Sequence, residues 1–329
     1  MISETLTTAL DNGTVSMDGM TNTPGTNYTT ILVLRELESH AVFTTNGQDA
    51  DIASLSVVGE ESSIEYSPGL LFMRKQTGSD RRMGKAIQRE LLEYDQPDSM
   101  EVNDMNPQSV ESALYGSAAS GDDDVDIGVT SRVMYDTAFS VRDASACIDE
   151  KFQNAPGEGY AKGSRSTIRE PDFFEPGTLF PCAITLRDAT PAEVAFVIAI
   201  TKRNKRYGAA TTRLGRVKNH ILGVYTGSEE GPSNRELTAN VITSFAADDE
   251  RTLSDVVQAP ALDVSQACNY VKEAYETACE NGIEQQSVDQ AAVDELLSLT
   301  ADEALQSVLE AQQPRSEAFI DDAIDTDGN

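Results

Sequence analysis

The residues of this chain best suited to chemistry are cations. Between Lys202 and Lys218 the sequence reads KRNKRYGAATTRLGRVK: seven basic residues (Lys202, Arg203, Lys205, Arg206, Arg213, Arg216 and Lys218) and no acid, in a chain of formal net charge -30. A second island, 74 to 89, holds six more (Arg74, Lys75, Arg81, Arg82, Lys85 and Arg89) against one acid, Asp80. The two islands carry 13 of the 25 Lys and Arg, so the rest of the chain sets 12 basic residues against 54 acidic ones. So acidic a chain concentrates cations where an anion is to be held, and a clustered basic patch is the electrostatic footprint of nucleic-acid binding. Part of the cluster has a plainer reading. Lys202 and Arg203 fall at the end of a helix, where cations complement the macrodipole by ~0.3–1 kcal/mol. Arg213, Arg216 and Lys218 lie beyond a glycine turn, outside the reach of that explanation.

Other chemistries fit less well. The loop around Gly208 and Gly215 lets backbone N–H groups approach an anion, with Thr211 and Thr212 as hydroxyl donors. It has neither the G-K-[ST] of a P-loop nor G-x-G-x-x-G, which argues against nucleoside triphosphates. Asp122, Asp124 and Asp126 imitate the start of a calcium loop, but Ile127 stands where Gly is needed and Val133 where Glu is needed. A solvated acidic loop is the better reading. The two histidines, His40 and His220, belong to no catalytic motif, so no catalytic residue is expected. Cys147, Cys182, Cys268 and Cys279 form no C-x-x-C pair and read as buried, reduced thiols, with no metal and no cofactor.

Acid excess, 17 Arg against 8 Lys, a pI near 4.2 and no Trp suit a salt-in halophile. Hydrated carboxylates keep such a surface soluble where repulsion is screened within ~3 Å at 1 M salt. An ordinary acidic protein is the bland alternative. There is no run of about 18 apolar residues, and MISETLTTALDNG lacks a basic n-region, so a cytoplasmic protein without a membrane span or signal peptide is expected.

These residues need elements to position them. Tyr28 to Leu37 reads as a buried strand, followed by an insertion over 46 to 130. Within it, Ser79 or Asp80 is a candidate cap for a helix running to about Tyr94. Met83, Ile87 and Leu91 would line its packed face, and Arg81, Lys85 and Arg89 its cationic one. Residues 131 to 170 suggest an extended hairpin, and Leu179 to Leu186 another strand. Thr190 and Glu193 form a capping box ahead of an apolar, deeply buried helix that Gly208 would end. Val217 to Thr226 is the next strand. Residues 1 to 27 read as loose, and 246 to 329, with 20 acids and 3 bases, as helices ending in a disordered tail over the last dozen residues. This order predicts an α+β domain with an antiparallel or mixed sheet.

One block carries a resemblance. TLRDATPAEVAFVIAITKRNKRYGAATTRLGRVKNHILGV (185 to 224) closely resembles the backbone subunit of type I-D CRISPR Cascade effector complexes, of the RAMP superfamily. VLRELES, RRMGKAIQREL, ALYGSAASGD, YDTAFSV and FFEPGTLFPCAITLRD are similar to the same family, so the likeness spans about 30 to 245 in blocks. It implies an RRM-like (ferredoxin-like) palm over 28 to 45 and 171 to 245, a thumb hairpin over 131 to 170, and C-terminal helices. It implies copies polymerised along one CRISPR RNA, other Cascade subunits as partners, and target DNA paired to the exposed guide. The palm sheet and a basic helix would hold phosphates. Contact is expected from Arg81, Arg82, Lys85, Arg203, Lys205, Arg206, Arg213, Arg216 and Lys218, with Phe152 and Tyr207 against displaced or stacked bases. Family members carry a cysteine cluster just before the Tyr-Gly of the insertion. Here NDMNPQSVESALYG has none, so no zinc site is expected. Two other classes stay open: a nuclease of the same superfamily, cutting precursor RNA with a histidine or bound target strand with Asp49 or Asp51, and an acidic oligomer without nucleic acid. The acidic tail is expected to be passive, so that removing 313 to 329 leaves RNA binding intact.

Overall fold

Tyr28–Leu37, apolar and rich in β-branched residues, forms the central strand of an antiparallel sheet, and every residue from Thr29 to Arg35 is buried. The computed structural model describes every residue except Met1, Asn46, 94–97, 102–104, 121–125, 150–151, 155–166, 170, 209–213, 249–250 and 328–329. In it the helices are α1 (Glu4–Leu10), α2 (Met73–Leu91), α3 (Val110–Tyr115), α4 (Ala144–Cys147), α5 (Pro191–Arg203), α6 (Asn234–Asp248), α7 (Leu253–Val257), α8 (Val264–Glu280), α9 (Gln290–Ser298) and α10 (Asp302–Asp327).

Leu179–Arg187 flanks the central strand on one side and Gly215–Gly227 on the other, both antiparallel to it. Val133–Tyr135 extends the first side, while Arg206–Tyr207 and Gln285–Ser287 extend the second. Two crossovers interlock. One runs from the central strand through α2 to Val133–Tyr135, the other from Leu179–Arg187 through α5 to Gly215–Gly227. Each skips one strand, so the sheet is antiparallel between neighbours although its crossover strands are parallel.

Side chains of the central strand alternate between two cores. Ile31, Val33 and Leu37 join a core built from α1, α2, α5, α9 and α10. Leu32 and Leu34 join a second one, built from α6, α7 and α8. Both faces of the sheet are therefore covered, which leaves its ends and edges for a ligand. The expectation that the palm sheet holds phosphates is corrected to that extent.

α5 follows the sequence closely. Thr190 and Glu193 form the capping box, Pro191 opens the helix, and every residue from Pro191 to Thr201 is buried. It ends at Asn204, not at Gly208. Other expectations change. Residues 1 to 27 are not loose throughout, because Leu6 and Leu10 bring α1 into the core. α2 starts at Met73, two turns before the expected cap, and Ser79 and Asp80 are buried within it. Of the region expected as one hairpin over 131 to 170, Val133–Tyr135 belongs to the central sheet and Ala138–Asp143 pairs with Pro68–Leu71. The hairpin proper is Ile148–Asp149 with Phe173–Phe174, then Phe152–Asn154 with Thr167–Arg169. The disordered tail is corrected too: Phe319 and Ile320 are buried, with Ser316 beside them in α10. A deletion from 313 would strip these buried groups, so it no longer tests a passive tail.

α2 and α5 approach closely at Gly84. A Cβ there would meet Ile200 Cδ1 at 2.9 Å and Glu111 Cγ at 3.2 Å. Gly84→Leu is expected to cost about 1–3 kcal/mol by overpacking, read by chemical denaturation. Gly78→Ala, whose Cβ meets only Arg82 Nη1 at 3.7 Å, is expected to stabilise by about 0.5–1 kcal/mol.

Candidate nucleic-acid interface

The early start of α2 sets the site. Arg74, Gly78 and Arg82 recur every four residues and share one face of the helix, with Lys75 beside them. This face borders an open cleft of about 430 Å³, lined also by Thr44, Thr45 and Gly208. The cations are held in place. Arg74 Nη2 donates to Thr45 Oγ1 at 2.5 Å, and that hydroxyl donates to Asp51 Oδ2 at 2.6 Å. Lys75 Nζ donates to the Thr44 carbonyl at 2.8 Å and lies 3.7 Å from Asp51. The Phe72 ring lies 5.4 Å from the Arg74 guanidinium carbon and 6.0 Å from Lys75 Nζ, an apolar bed that favours both cations. Gly208 has φ 139°, and a Cβ there would stand 3.0 Å from the Val42 carbonyl oxygen, so a glycine suits this wall.

Desolvation lowers the Lys75 pKa, with Asp51 opposing and Arg74 adding to the drop. Its charge is therefore lost at lower pH than that of a free lysine. Anion affinity is expected to weaken as pH is raised toward the ordinary lysine range, while Lys75→Arg holds its affinity there. Binding titrations between neutral and alkaline pH check this.

The second island adjoins the first. Arg206–Tyr207 pairs with Gly215–Arg216, which places Arg206 opposite Arg216. Lys205 has its pKa lowered by burial and by the nearby Arg216, Lys202 and Lys218, against the opposing pull of Glu38. Arg216 Nε donates to Glu38 at 2.7 Å on the surface, a pair of small net worth. Lys218 is exposed in register with Glu36. Arg213, with Thr211 and Thr212, lies outside the described residues.

A buried carboxylate joins the two islands. Asp80 accepts from the Tyr207 hydroxyl and from Asn204 Nδ2, each at 2.6 Å, from the Tyr135 hydroxyl at 3.0 Å, and pairs with Arg35 at 3.4 Å. Arg35 also lies 4.5 Å from the Tyr207 ring centroid and donates to Asn219 Oδ1 at 2.9 Å. Burial pushes the Tyr207 phenol up, keeping it a donor. Ser79 Oγ donates to the Arg206 carbonyl at 2.5 Å.

Several expected contacts are corrected. Tyr207 is fully buried and offers no ring to a base. Lys85 is buried between Asp98 and Glu111. Arg81 donates to Glu111 at 2.6 Å and to the Gly116 carbonyl at 2.7 Å. Arg203 pairs with Asp302 at 2.7 Å and donates to the Thr300 carbonyl at 2.6 Å, fastening α5 to the start of α10. Carboxylates distant in sequence draw Arg81 and Lys85 inward, while Arg203 is engaged at the surface by the exposed Asp302. Arg82, Lys205, Arg206, Arg216 and Lys218 remain on or near the surface. Phe152 opens a strand opposite Arg169, and its side chain lies outside the described residues. Arg74, Lys75, Thr44 and Thr45 were missed. The six-cation run includes Arg74 and Lys75, but a helix capped at Ser79 or Asp80 leaves them outside it and does not align them with Arg82.

His40 contacts Glu175 at 2.9 Å and His220 contacts Glu36 at 2.8 Å. Among the described residues no group of three or more His, Cys, Asp or Glu side chains is placed to hold a metal ion, and no helix is long and apolar enough to cross a membrane.

A family model described as Csc2 Crispr matches residues 16–312. The crystal structure of Thermofilum pendens Csc2 superposes with a TM-score of 0.58 at 14% identity, covering 89% of each chain. A chain of a CRISPR RNA-guided surveillance complex aligns at 11% identity and TM-score 0.44, over 87% of this chain and 98% of its own. A chain of a Type IV-B CRISPR Complex aligns at 16% identity and TM-score 0.37, over 59% and 89%. No curated protein matches the sequence.

Proposed function

Because this chain belongs to the Csc2 CRISPR family, we propose that it is the CRISPR RNA-binding backbone subunit of a type I-D interference complex, with no catalytic role. One observation carries the reading. Two basic islands more than a hundred residues apart in a chain of net charge -30 meet around one cleft, with Arg74, Lys75 and Arg82 on its wall and Arg206 beside it. Phosphate contacts position a strand without reading its sequence. That suits a subunit holding any guide by its backbone while the bases stay free to pair with target DNA. Copies of the chain would follow one another along the RNA, beside other Cascade subunits. The interlocked crossovers and the order of the four main strands support an RRM-like palm. With both faces of the sheet covered, the RNA would run over the cleft, past the end of the central strand. The Phe152–Arg169 hairpin is the candidate thumb.

An acid excess of 55 over 25, with 13 of the 25 cations gathered in the islands, also supports a cytoplasmic protein of a salt-in halophile. Counterion release contributes less in molar salt, so hydrogen bonds from Arg and Thr carry more of the affinity there. The nuclease reading has less support. Asp51 accepts the Thr45 hydroxyl and stands beside Lys75, so its carboxylate shapes the cleft and is poorly free to activate a nucleophile. Asp49, its companion candidate, adjoins it in the same loop. Regularly spaced cuts in bound target, lost in Asp49→Ala or Asp51→Ala, would revive that reading.

The test is purification from a high-salt host, followed by sequencing of any bound RNA. RNAs of uniform length with repeat and spacer sequence support the proposal. A folded protein free of RNA returns it to an acidic oligomer.

A further inference from the structure

We infer that Asp80 is a positioning residue for the basic cleft: its buried carboxylate fixes the turn carrying Arg206 and Gly208 against the cationic face of α2. The inference rests on the cleft being the RNA site. Asp80 itself reaches no solvent. It sits on the inner side of α2, two residues from Gly78 and two from Arg82, which both line the cleft. Its two closest partners, Asn204 and Tyr207, bracket Lys205 and Arg206, and Tyr207 directly precedes Gly208. Asn204 Nδ2 also donates to Ser79 Oγ at 3.1 Å, and Asn204 Oδ1 accepts the Arg206 amide at 3.2 Å. On the strand side Asn219 reaches the same turn, donating to the Asn204 carbonyl at 3.0 Å and the Tyr207 hydroxyl at 3.3 Å.

A cleft between a helix face and a turn keeps its width only if the two are tied together. The ties here converge on one carboxylate. Buried, densely partnered networks are rigid, because losing a member leaves others unsatisfied in a low-dielectric interior; here Arg35 Nε has no partner among the described residues, while the carboxylate of Asp80 has four. Arg35 supplies the counter-charge and packs over the Tyr207 ring, so the hub also registers the turn on the central strand. A site assembled from elements distant in sequence depends on such supporting contacts.

Removing Asp80 would leave Arg35 a buried, unpaired cation and threaten folding, so the test uses Tyr207→Phe in the full chain. This keeps the ring under Arg35 and removes one hydroxyl. Two readouts are made: hydrogen exchange of peptides covering 204 to 218, and anisotropy of a single-stranded RNA oligonucleotide across a salt series. Leu262→Ala, in the core on the other side of the sheet, is the control for general destabilisation. Expected for Tyr207→Phe is exchange in the turn faster by about tenfold with wild-type circular dichroism. RNA affinity should fall about tenfold, and the salt slope by roughly 0.7, the value of one phosphate contact on a single strand. The control should lower the melting temperature and leave affinity and slope as they were. Unchanged exchange in the turn overturns the anchoring. Faster exchange with wild-type affinity and slope overturns the positioning role while the RNA reading stands. Wild-type protein that binds no RNA defeats the RNA reading instead, and the exchange data then decide the anchoring alone.

Discussion

A chain carrying Arg74→Ala, Lys75→Ala and Arg82→Ala together is expected to bind single-stranded RNA about 10² to 10³ times more weakly than the parent, with its fold intact. Each cation can make a charge-assisted hydrogen bond to a phosphate. At ~1–1.5 kcal/mol apiece, below the usual range because the site is open to water, three give that loss. The salt dependence gives an independent number. With each neutralised phosphate worth about 0.7 in the slope on a single strand, the triple variant should lose roughly 2. The loss should be equal for oligonucleotides of unrelated sequence, because backbone contacts carry no base information. Arg81→Ala with Arg203→Ala removes two cations of the same islands whose partners are Glu111 and Asp302. That pair should cost stability and change RNA affinity little. Equal affinity of triple variant and parent, or a larger loss from the Arg81 and Arg203 pair, would place the RNA elsewhere.

The contrast between these two variants marks where sequence reading stops. Local chemistry was legible. Tyr28–Leu37 emerges with the expected bounds because a continuous apolar, β-branched run has few other fates, and Thr190 with Glu193 caps α5 because the capping box closes within four residues. The meeting of two basic islands was legible as composition. The partner of each cation was not. Arg81, Lys85 and Arg203 look like Arg82, Lys205 and Arg206 in the sequence, and the carboxylates that separate the two groups lie 13 to 99 residues away. Asp80 is the clearest case. A lone acid at the start of a cationic run reads as a helix cap, yet it answers a buried Arg35 on a strand 45 residues earlier. Capping gave no warning about α2, since Phe72, its first residue's neighbour, makes no side-chain cap bond. In α10 the acid count masked Phe319 and Ile320, which extend the docking of this helix beyond Leu305, Val308 and Leu309.

Lys85→Met is expected to destabilise the protein by about 3–5 kcal/mol, the largest single-residue effect anticipated outside Arg35 and Asp80. The Lys85 side chain is 1% exposed. Its ammonium is 3.0 Å from Glu111 Oε2, donates to Ser112 Oγ at 2.7 Å and Ser109 Oγ at 3.2 Å, and pairs with Asp98. Four oxygens thus converge on one point charge, which ties Asp98 to Ser109 and α3. Arginine is no substitute, because a planar fork cannot meet four ligands arranged about a single atom. With methionine the packing volume is nearly kept, but among the described residues Asp98 is left with only neutral donors, Gln88 and the Asn106 amide, and Glu111 with Arg81 as its one cation. The penalty is that of stranded carboxylates, so Lys85→Met combined with Asp98→Asn should recover more than half of it. Urea denaturation of the parent, single and double variants gives the three values. A single-variant loss under 1 kcal/mol would mean that water reaches this cluster. The folded fraction of the Lys85→Met chain should still bind RNA with an affinity close to the parent's, since the lysine is buried against Asp98 and α3 and does not line the cleft. Two cations ten positions apart on one helix, Lys75 and Lys85, would then be separated by experiment into one that holds the ligand and one that holds the fold.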